Sequence, residues 1–321
     1  MRIPLAALVA IALALAAPPA AGQEYPAREI RSICNFAAGS GADVIVRYYS
    51  DKLSKLAGKP VVVENRVGAQ GAIATEALAR SRPDGHTIMV TPASSTIAAA
   101  PHLFKQLPFD TARDFAAVTT IASLSFVIAV DAARPIKSIP ELVAHLKGRP
   151  NDGFYGTSNN TGVISAELFK ARSGLKTGYV PFKTNAQALT SLLQGELDFL
   201  AYDATWAVTQ QRGGKLRILA VTSAKRSVAL PDTPTLAELG YGDLDVTPWW
   251  GVVVAAGTPK PIVDKLAEWF NQITATEETK QFLERTAFDP FPGTPDSMAA
   301  LLKSDAERWG RYVKAANIEP Q

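Results

Sequence analysis

Arg31-Ser32-Ile33-Cys34-Asn35-Phe36-Ala37-Ala38-Gly39-Ser40-Gly41-Ala42-Asp43 is the centre of the stretch, Arg28 to Leu56, from which the fold is read. It starts with a short run carrying apolar Ile30, Ile33, Cys34 and Phe36. Small residues follow from Ala37 to Ala42, and then Val44, Ile45, Tyr48, Tyr49, Leu53 and Leu56 recur at helical spacing. The pattern is strand, small-residue turn, helix. The first amides of such a helix lack intrahelical acceptors, and the helix dipole favours an anion beside them. Glycine lets a ligand approach the backbone closely, and Ser40 adds a hydroxyl. The turn is a candidate site for a carboxylate or phosphate. The alternative is a plain strand-to-helix turn with Asp43 as N-cap.

Outward from this stretch, Gly58 stops the helix and Val61-Val62-Val63 reads as a buried strand. Glu64 to Arg66 with Gly68 and Gly71 form a second turn, and Ile73 to Arg80 a second helix. Pro83-Asp84-Gly85 is a tight turn before a third strand, Thr87 to Thr91. Residues 28–91 thus read β-α-β-α-β, a parallel sheet covered by helices. Ligands of such sheets bind beyond the carboxyl ends of the strands. That edge gathers Phe36 to Gly41, Gly68 to Gly71 and Pro92 to Thr96, where Ser94 and Ser95 offer hydroxyls or cap the next helix.

Two β-like runs between Val118 and Val130, with no helix between them, suit crossings to a second lobe. There Ser138-Ile139-Pro140-Glu141 is a capping box. Phe154-Tyr155-Gly156 is a short strand, and Thr157 to Gly162 leads into a helix, Val163 to Ala171, repeating the opening device. Tyr179 to Phe182 is the next strand, followed by a cap, Lys183-Thr184-Asn185, and a helix ending at Gly195. Leu197 to Tyr202 is a strand with Asp203 at its end, and Ile218 to Thr222 is another. Trp249 to Ala255 reads as a strand returning to the first lobe, and the rest as helical, with Met298, Leu301, Leu302, Trp309 and Val313 on one apolar face that packs on the core. The expected division is a first lobe from residues 23–124, a second from 125–248, and a return segment from 249–321. The fold class is α/β, two-lobed, each lobe a mainly parallel sheet flanked by helices. The two sets of turns would face each other across a hinged cleft that closes on a small ligand.

The 321 residues, 47% hydrophobic and 20% charged, are enough for two lobes with proper cores. The net charge of +3 is scattered, and no basic patch with interleaved aromatics points to nucleic acid. Met1-Arg2, the apolar Ile3 to Ala17 and the small-residue ending Pro18 to Gly22 read as a secretory signal peptide over residues 1–22, cleaved near Ala21 or Gly22. An uncleaved anchor is the alternative. No later apolar run approaches membrane length. Cys34, the single cysteine, has no partner for an internal disulfide and reads as a buried core residue.

Catalytic chemistry finds little support. A nucleophile elbow around Ser40 needs glycine two positions to either side, where Ala38 and Ala42 stand. The same turn lacks the third glycine of a dinucleotide fingerprint. His86, His102 and His145 have no spaced His or Cys partner, so neither a metal nor another cofactor is expected.

The chain resembles the solute receptors of tripartite tricarboxylate transporters, the Bug family. The resemblance runs through nearly the whole mature chain in ordered blocks: Gly39 to Asp43, Val61 to Arg66, Arg82 to Thr87, Leu107 to Asp110, Val180 to Lys183 and Gly214 to Arg217. The most specific are Ala220 to Ser227 with Leu230 to Thr235, and Ala256 to Pro259. The resemblance implies a periplasmic receptor with a two-lobed binding-protein fold of type II kind, without enzymatic activity. It implies capture of a small carboxylate (an organic acid, an acidic amino acid or an aromatic acid). Delivery would be to a membrane permease of one large and one small subunit, and the receptor would act as a monomer. Carried over position by position, the ligand-binding candidates are Phe36, Ala37, Gly39, Ser40, Gly41 and Asp43 in the first lobe, and Thr157, Ser158, Asn159 and Asp203 in the second. Ser94 and Ser95, from the sheet edge, and Tyr155 and Lys183, beside the second-lobe turns, complete the set. The chain departs from the family pattern at Asn35, where proline is usual, in the shorter turn after Tyr155 with its Asn159-Asn160 pair, and in Phe182-Lys183-Thr184. A periplasmic sensor acting on a membrane kinase is the alternative role, and a secreted hydrolase the remote one. Adjacent permease genes would favour uptake, and an adjacent kinase gene signalling.

Overall fold

The computed structural model describes residues 25–242, 244–316 and 318–320; the signal segment read over residues 1–22 lies outside them. The strands form two sheets. The first holds β1 (Ile30–Cys34), β2 (Val61–Asn65), β3 (Thr87–Thr91), β4 (Phe115–Ser123), and later β10 (Trp249–Ala255) and β11 (Asp289–Pro290), in the order β11-β4-β10-β3-β1-β2. The second holds β5 (Phe126–Asp131), β6 (Phe154–Thr157), β7 (Gly178–Pro181), β8 (Phe199–Asp203) and β9 (Leu216–Val221), in the order β7-β6-β8-β5-β9. In each sheet three neighbouring strands run parallel, β2-β1-β3 and β7-β6-β8. One antiparallel strand, β10 or β5, then joins them to the rest.

The helices follow from local signals. The first, α1 (Gly41–Ala57), starts at a Ser40 cap and stops at Gly58 in the left-handed region. Then come α2 (Ala72–Ala79), the short α3 (Ala100–Leu103) and α4 (Ile139–Lys147), whose Ser138 cap accepts the Glu141 N–H. In the second lobe α5 (Asn160–Ser173), α6 (Asn185–Leu193) and α7 (Ala204–Arg212) start at Asn159, Thr184 and Asp203. The C-terminal third adds α8 (Lys260–Ala275), α9 (Glu277–Arg285) and α10 (Pro295–Ala315). This third is not wholly helical: Asp289 and Pro290 pair with Ser123 and Ala122 as an edge strand, where proline's missing N–H costs nothing.

The chain passes from the first sheet to the second between Ser123 and Phe126, and returns between Val221 and Trp249. These crossings touch: Leu124 N–H donates to Pro248 O at 2.8 Å, and the Ser125 and Ser223 hydroxyls lie 2.8 Å apart. Each lobe keeps its own core. Ile30, Tyr49, Val252 and Phe270 pack in the first, and Ile128, Tyr155, Phe169 and Phe199 in the second. Helix α10 belongs to both, for Met298 packs beside Trp249 and Met89, and Trp309 and Val313 pack in the core that holds Phe169.

Candidate functional site

Strand-to-helix turns of both lobes end on the cleft between the sheets. At the end of β1, Asn35 and Phe36 carry the chain over the sheet edge into α1. Ser40 caps this helix, its Oγ accepting the Asp43 N–H at 3.2 Å, so the alternative with Asp43 as cap does not hold. The Asp43 carboxylate turns back into the lobe. Oδ2 accepts from Gly39 N at 2.8 Å and Arg47 Nε at 2.7 Å, and Oδ1 from Asn65 Nδ2 at 2.7 Å. Burial pushes this carboxyl up, but the bonds from Arg47, Asn65 and Gly39 outweigh it and bring the pKa to about 2. Asn65 also donates to Phe36 O at 2.9 Å, so one amide braces both the carboxylate and the turn.

Two further segments complete the first-lobe edge. Gly71 has φ +99°, and a Cβ there would meet Asn35 Nδ2 at 2.9 Å, so only glycine lets this loop close on Asn35. After β3 the chain takes a π-helical turn, Ser94–Ala98, a conformation frequent at functional sites. The Thr91 hydroxyl lies 3.1 Å from Asn35 Oδ1 and 3.2 Å from Thr96 Oγ1, tying the three pieces together.

Across the cleft, Asn159 caps α5 by accepting the Gly162 N–H at 2.8 Å. A Cβ on Gly162 would collide with the Thr157 hydroxyl and with Ala201 O, so glycine seats the start of α5 tightly on β6 and β8. Ser158 Oγ donates to Asn185 Oδ1 at 2.5 Å. Asp203 caps α7, Oδ1 accepting the Trp206 N–H at 2.9 Å. Burial raises its carboxyl above the ordinary value, with the Trp206 amide pulling the other way.

The cleft holds two adjoining chambers. The larger, about 600 Å³, lies toward Asn35, Gln70, Thr96, Ser158, Asn160 and Trp309. The smaller, about 280 Å³, lies against the crossings and is walled by Leu124, Phe126, Trp250 and Phe288, with Asp203 and Thr205. Phe36, Pro92, Ser95, Asn159 and Thr161 line both and form the waist. Among the described residues no lysine, arginine or histidine lines either chamber, and Asp203 is the one ionisable lining side chain. The positive potential comes instead from helix starts: Gly41 and Ala42 of α1, Asn160 and Thr161 of α5, and Thr205 of α7. First-turn amides have no intrahelical acceptor, and three helix dipoles aimed at one cleft favour an anion without a formal cation.

The candidate residues divide by this geometry. Phe36, Gly41, Ser95, Ser158, Asn159 and Asp203 line the chambers. Ala37 and Gly39 are exposed outside the lining, and Ser40 and Asp43 are engaged in shaping the turn. Ser94 and Thr157 are buried behind the lining with unpaired hydroxyls. Tyr155 is a core residue: its ring stacks between Tyr179 and Phe199 and its hydroxyl donates to Glu167 Oε1 at 2.6 Å. Lys183 is exposed and lines neither chamber. Sequence reading passed over Phe126, Thr161, Thr205, Trp250, Phe288 and Trp309. Thr161 and Thr205 carried a signal, since Thr161 lies in the turn read as leading into a helix and Thr205 follows Asp203, the residue read at the end of its strand.

Known proteins agree with this architecture. The model of the tripartite tricarboxylate transporter family receptor matches residues 45–318. Protein BugT of Bordetella pertussis is 30% identical, over 95% of this chain and 94% of its own. The solved structure of R. palustris Rpa4515 with adipate superposes with a TM-score of 0.80 at 30% identity, covering 93% of this chain and all of that one. MatC from Rhodopseudomonas palustris, with bound malate, superposes at 0.74 and 26% identity, covering 90% of this chain and all of its own. A match along most of the sequence, with the same two-lobed architecture in solved relatives, means that this chain belongs to the receptor family of the tripartite tricarboxylate transporters.

Proposed function

We propose that this receptor captures a small carboxylate between its lobes and passes it to a membrane permease of one large and one small subunit. It works as a periplasmic monomer, after removal of residues 1–22, and by binding alone. The observation that carries this reading is the convergence of three helix starts on a cleft that, among the described residues, no cationic side chain lines. That arrangement suits a carboxylate, which backbone amides and hydroxyls can hold by several directed hydrogen bonds. The adipate and malate complexes of Rpa4515 and MatC support the ligand class.

The test is a thermal-shift screen of the mature protein against aliphatic dicarboxylates, tricarboxylates, acidic amino acids and aromatic acids. A ligand at 100 times its dissociation constant stabilises by about 2.7 kcal/mol, which raises Tm by several degrees. At least one acid is expected to do so. No shift with any acid, together with no small acid in the mass spectrum of the denatured protein, would sink the reading.

A further inference from the structure

We infer that the chamber against the crossings holds the ring of an aromatic monocarboxylate, and that such acids, rather than short di- or tricarboxylates, are this receptor's preferred ligands. The inference rests on the carboxylate reading above and specifies its ligand.

The walls of this chamber are unlike those of the rest of the cleft. Phe36, Leu124, Phe126, Pro248, Trp250 and Phe288 form the apolar side of an open pocket of about 280 Å³. An apolar cavity of about 150 Å³ already admits benzene, so a ring fits with space to spare. Phe36 and Trp250 lie 5.7 Å apart at 27°, and Phe288 meets Trp250 at 6.0 Å and 84°. These rings pack on one another, stacked and edge-on as aromatic pairs prefer, and together give the chamber a rigid aromatic floor that Phe36, the half-buried member, borders. A second carboxylate would be badly placed here. It would leave water for apolar walls with no cation among them, beside Asp203 as the one ionisable group.

The polar groups sit where a single carboxylate would have to lie. Ser95, Asn159 and Thr161 line the waist between the chambers, at the start of α5. A monocarboxylate anchored at that waist can direct its ring into the aromatic chamber and leave the amide-rich larger chamber to water. A compact hydroxylated diacid gains nothing from the aromatic walls.

Isothermal titration of the mature protein with benzoate, phenylacetate, malate, adipate and citrate tests this. At least one aromatic acid is expected to bind tenfold or more tightly than the best aliphatic acid. Phe36→Leu, at a half-buried turn residue that lines both chambers, should weaken the aromatic acid at least fivefold more than it weakens malate. Tryptophan fluorescence gives a readout that needs no variant: an aromatic acid seated beside Trp250 should change emission more than malate does. A diacid or citrate binding more tightly than both aromatic acids overturns the inference but leaves the carboxylate reading standing. So does equal weakening of both classes by Phe36→Leu, or unchanged emission at saturating aromatic acid. Silence toward all five acids overturns the carboxylate reading as well.

Discussion

Burying a carboxylate costs stability unless donors surround it, and Asp43 has donors from Gly39, Arg47 and Asn65. They bring its pKa from 3.8 to about 2. A carboxyl lowered on folding stabilises the native state fully above its unfolded value, and that stabilisation is lost as pH falls through the folded value. Asp43 therefore stabilises from about pH 4 upward and progressively less toward about pH 2. Arg47 is half exposed, so screening limits the contribution to about 1–2 kcal/mol. Asp43→Ala is expected to lower Tm at neutral pH by a few degrees and to flatten the acid limb of the Tm profile. Superimposable profiles for the two proteins would remove Asp43 from this role. Asp203 differs because its carboxyl borders the ligand chamber and is raised by burial. An ionised Asp203 repels a carboxylate 4 Å away by about 1–4 kcal/mol, for an effective dielectric between about 80 and 20. Asp203→Asn should therefore strengthen a plain dicarboxylate and weaken a ligand that donates an ammonium or hydroxyl. Equal modest losses for both ligand types in competition titrations would count against this.

The elements that matter most are the first turns of α1 and α5, and each depends on a glycine for a different reason. A Cβ on Gly41 would meet nothing within 4 Å, and the residue lines the aromatic chamber. Gly41→Ala should fold at least as well, since alanine favours helix, while its methyl enters the ligand's space. A severalfold loss of affinity at unchanged Tm is the expected result. Undiminished affinity would take the start of α1 out of the site. Gly162→Ala should behave differently, because its Cβ would press on Ala201 O at 2.5 Å. Overpacking of this kind costs about 1–3 kcal/mol and would lift α5 from β6 and β8. Tm and affinity should therefore fall together, and a variant of native stability would contradict the close seating described here.

For the molecule as a whole, two hydrogen-bonded crossings and one straddling helix join the lobes. The outgoing crossing is short, and it touches the end of the long return segment where Leu124 N–H donates to Pro248 O, which makes a narrow connection between the lobes. Helix α10 is anchored in one lobe by Met298 and in the other by Trp309, so a change in the angle between the lobes would strain it. Trp309 also lines the larger chamber. Trp309→Ala removes a large buried side chain and should cost about 3–5 kcal/mol. Small-angle scattering should show the radius of gyration fall when the wild-type protein is saturated with its ligand. An unchanged radius on saturation would mean that binding needs no closure.

Much of this was legible along the chain because it is local. Strand-turn-helix periodicity, the capping segments at Ser138 and Thr184, and the β-α-β-α-β order up to Thr91 all rest on interactions within a few residues. They were enough to read two α/β lobes and to bring Phe36, Gly68 to Gly71 and Pro92 to Thr96 to one sheet edge. The side of an element that meets the cleft is not a local property. Trp249 and Trp250 are neighbours on one strand and necessarily point to opposite faces. Trp249 packs beside Met298 and donates to Asp305 Oδ2 at 2.6 Å, whereas Trp250, equally buried, packs on the other face with Phe36 and Phe288 and borders the chamber. Asp43 looks like a ligand residue until Asn65, 22 positions away, takes its carboxylate. Trp309 reads as core and is core, yet it also lines the cleft because α10 returns across both lobes. Sequence periodicity reports which residues leave water, while the packing of distant elements determines which of them border the space left for a ligand.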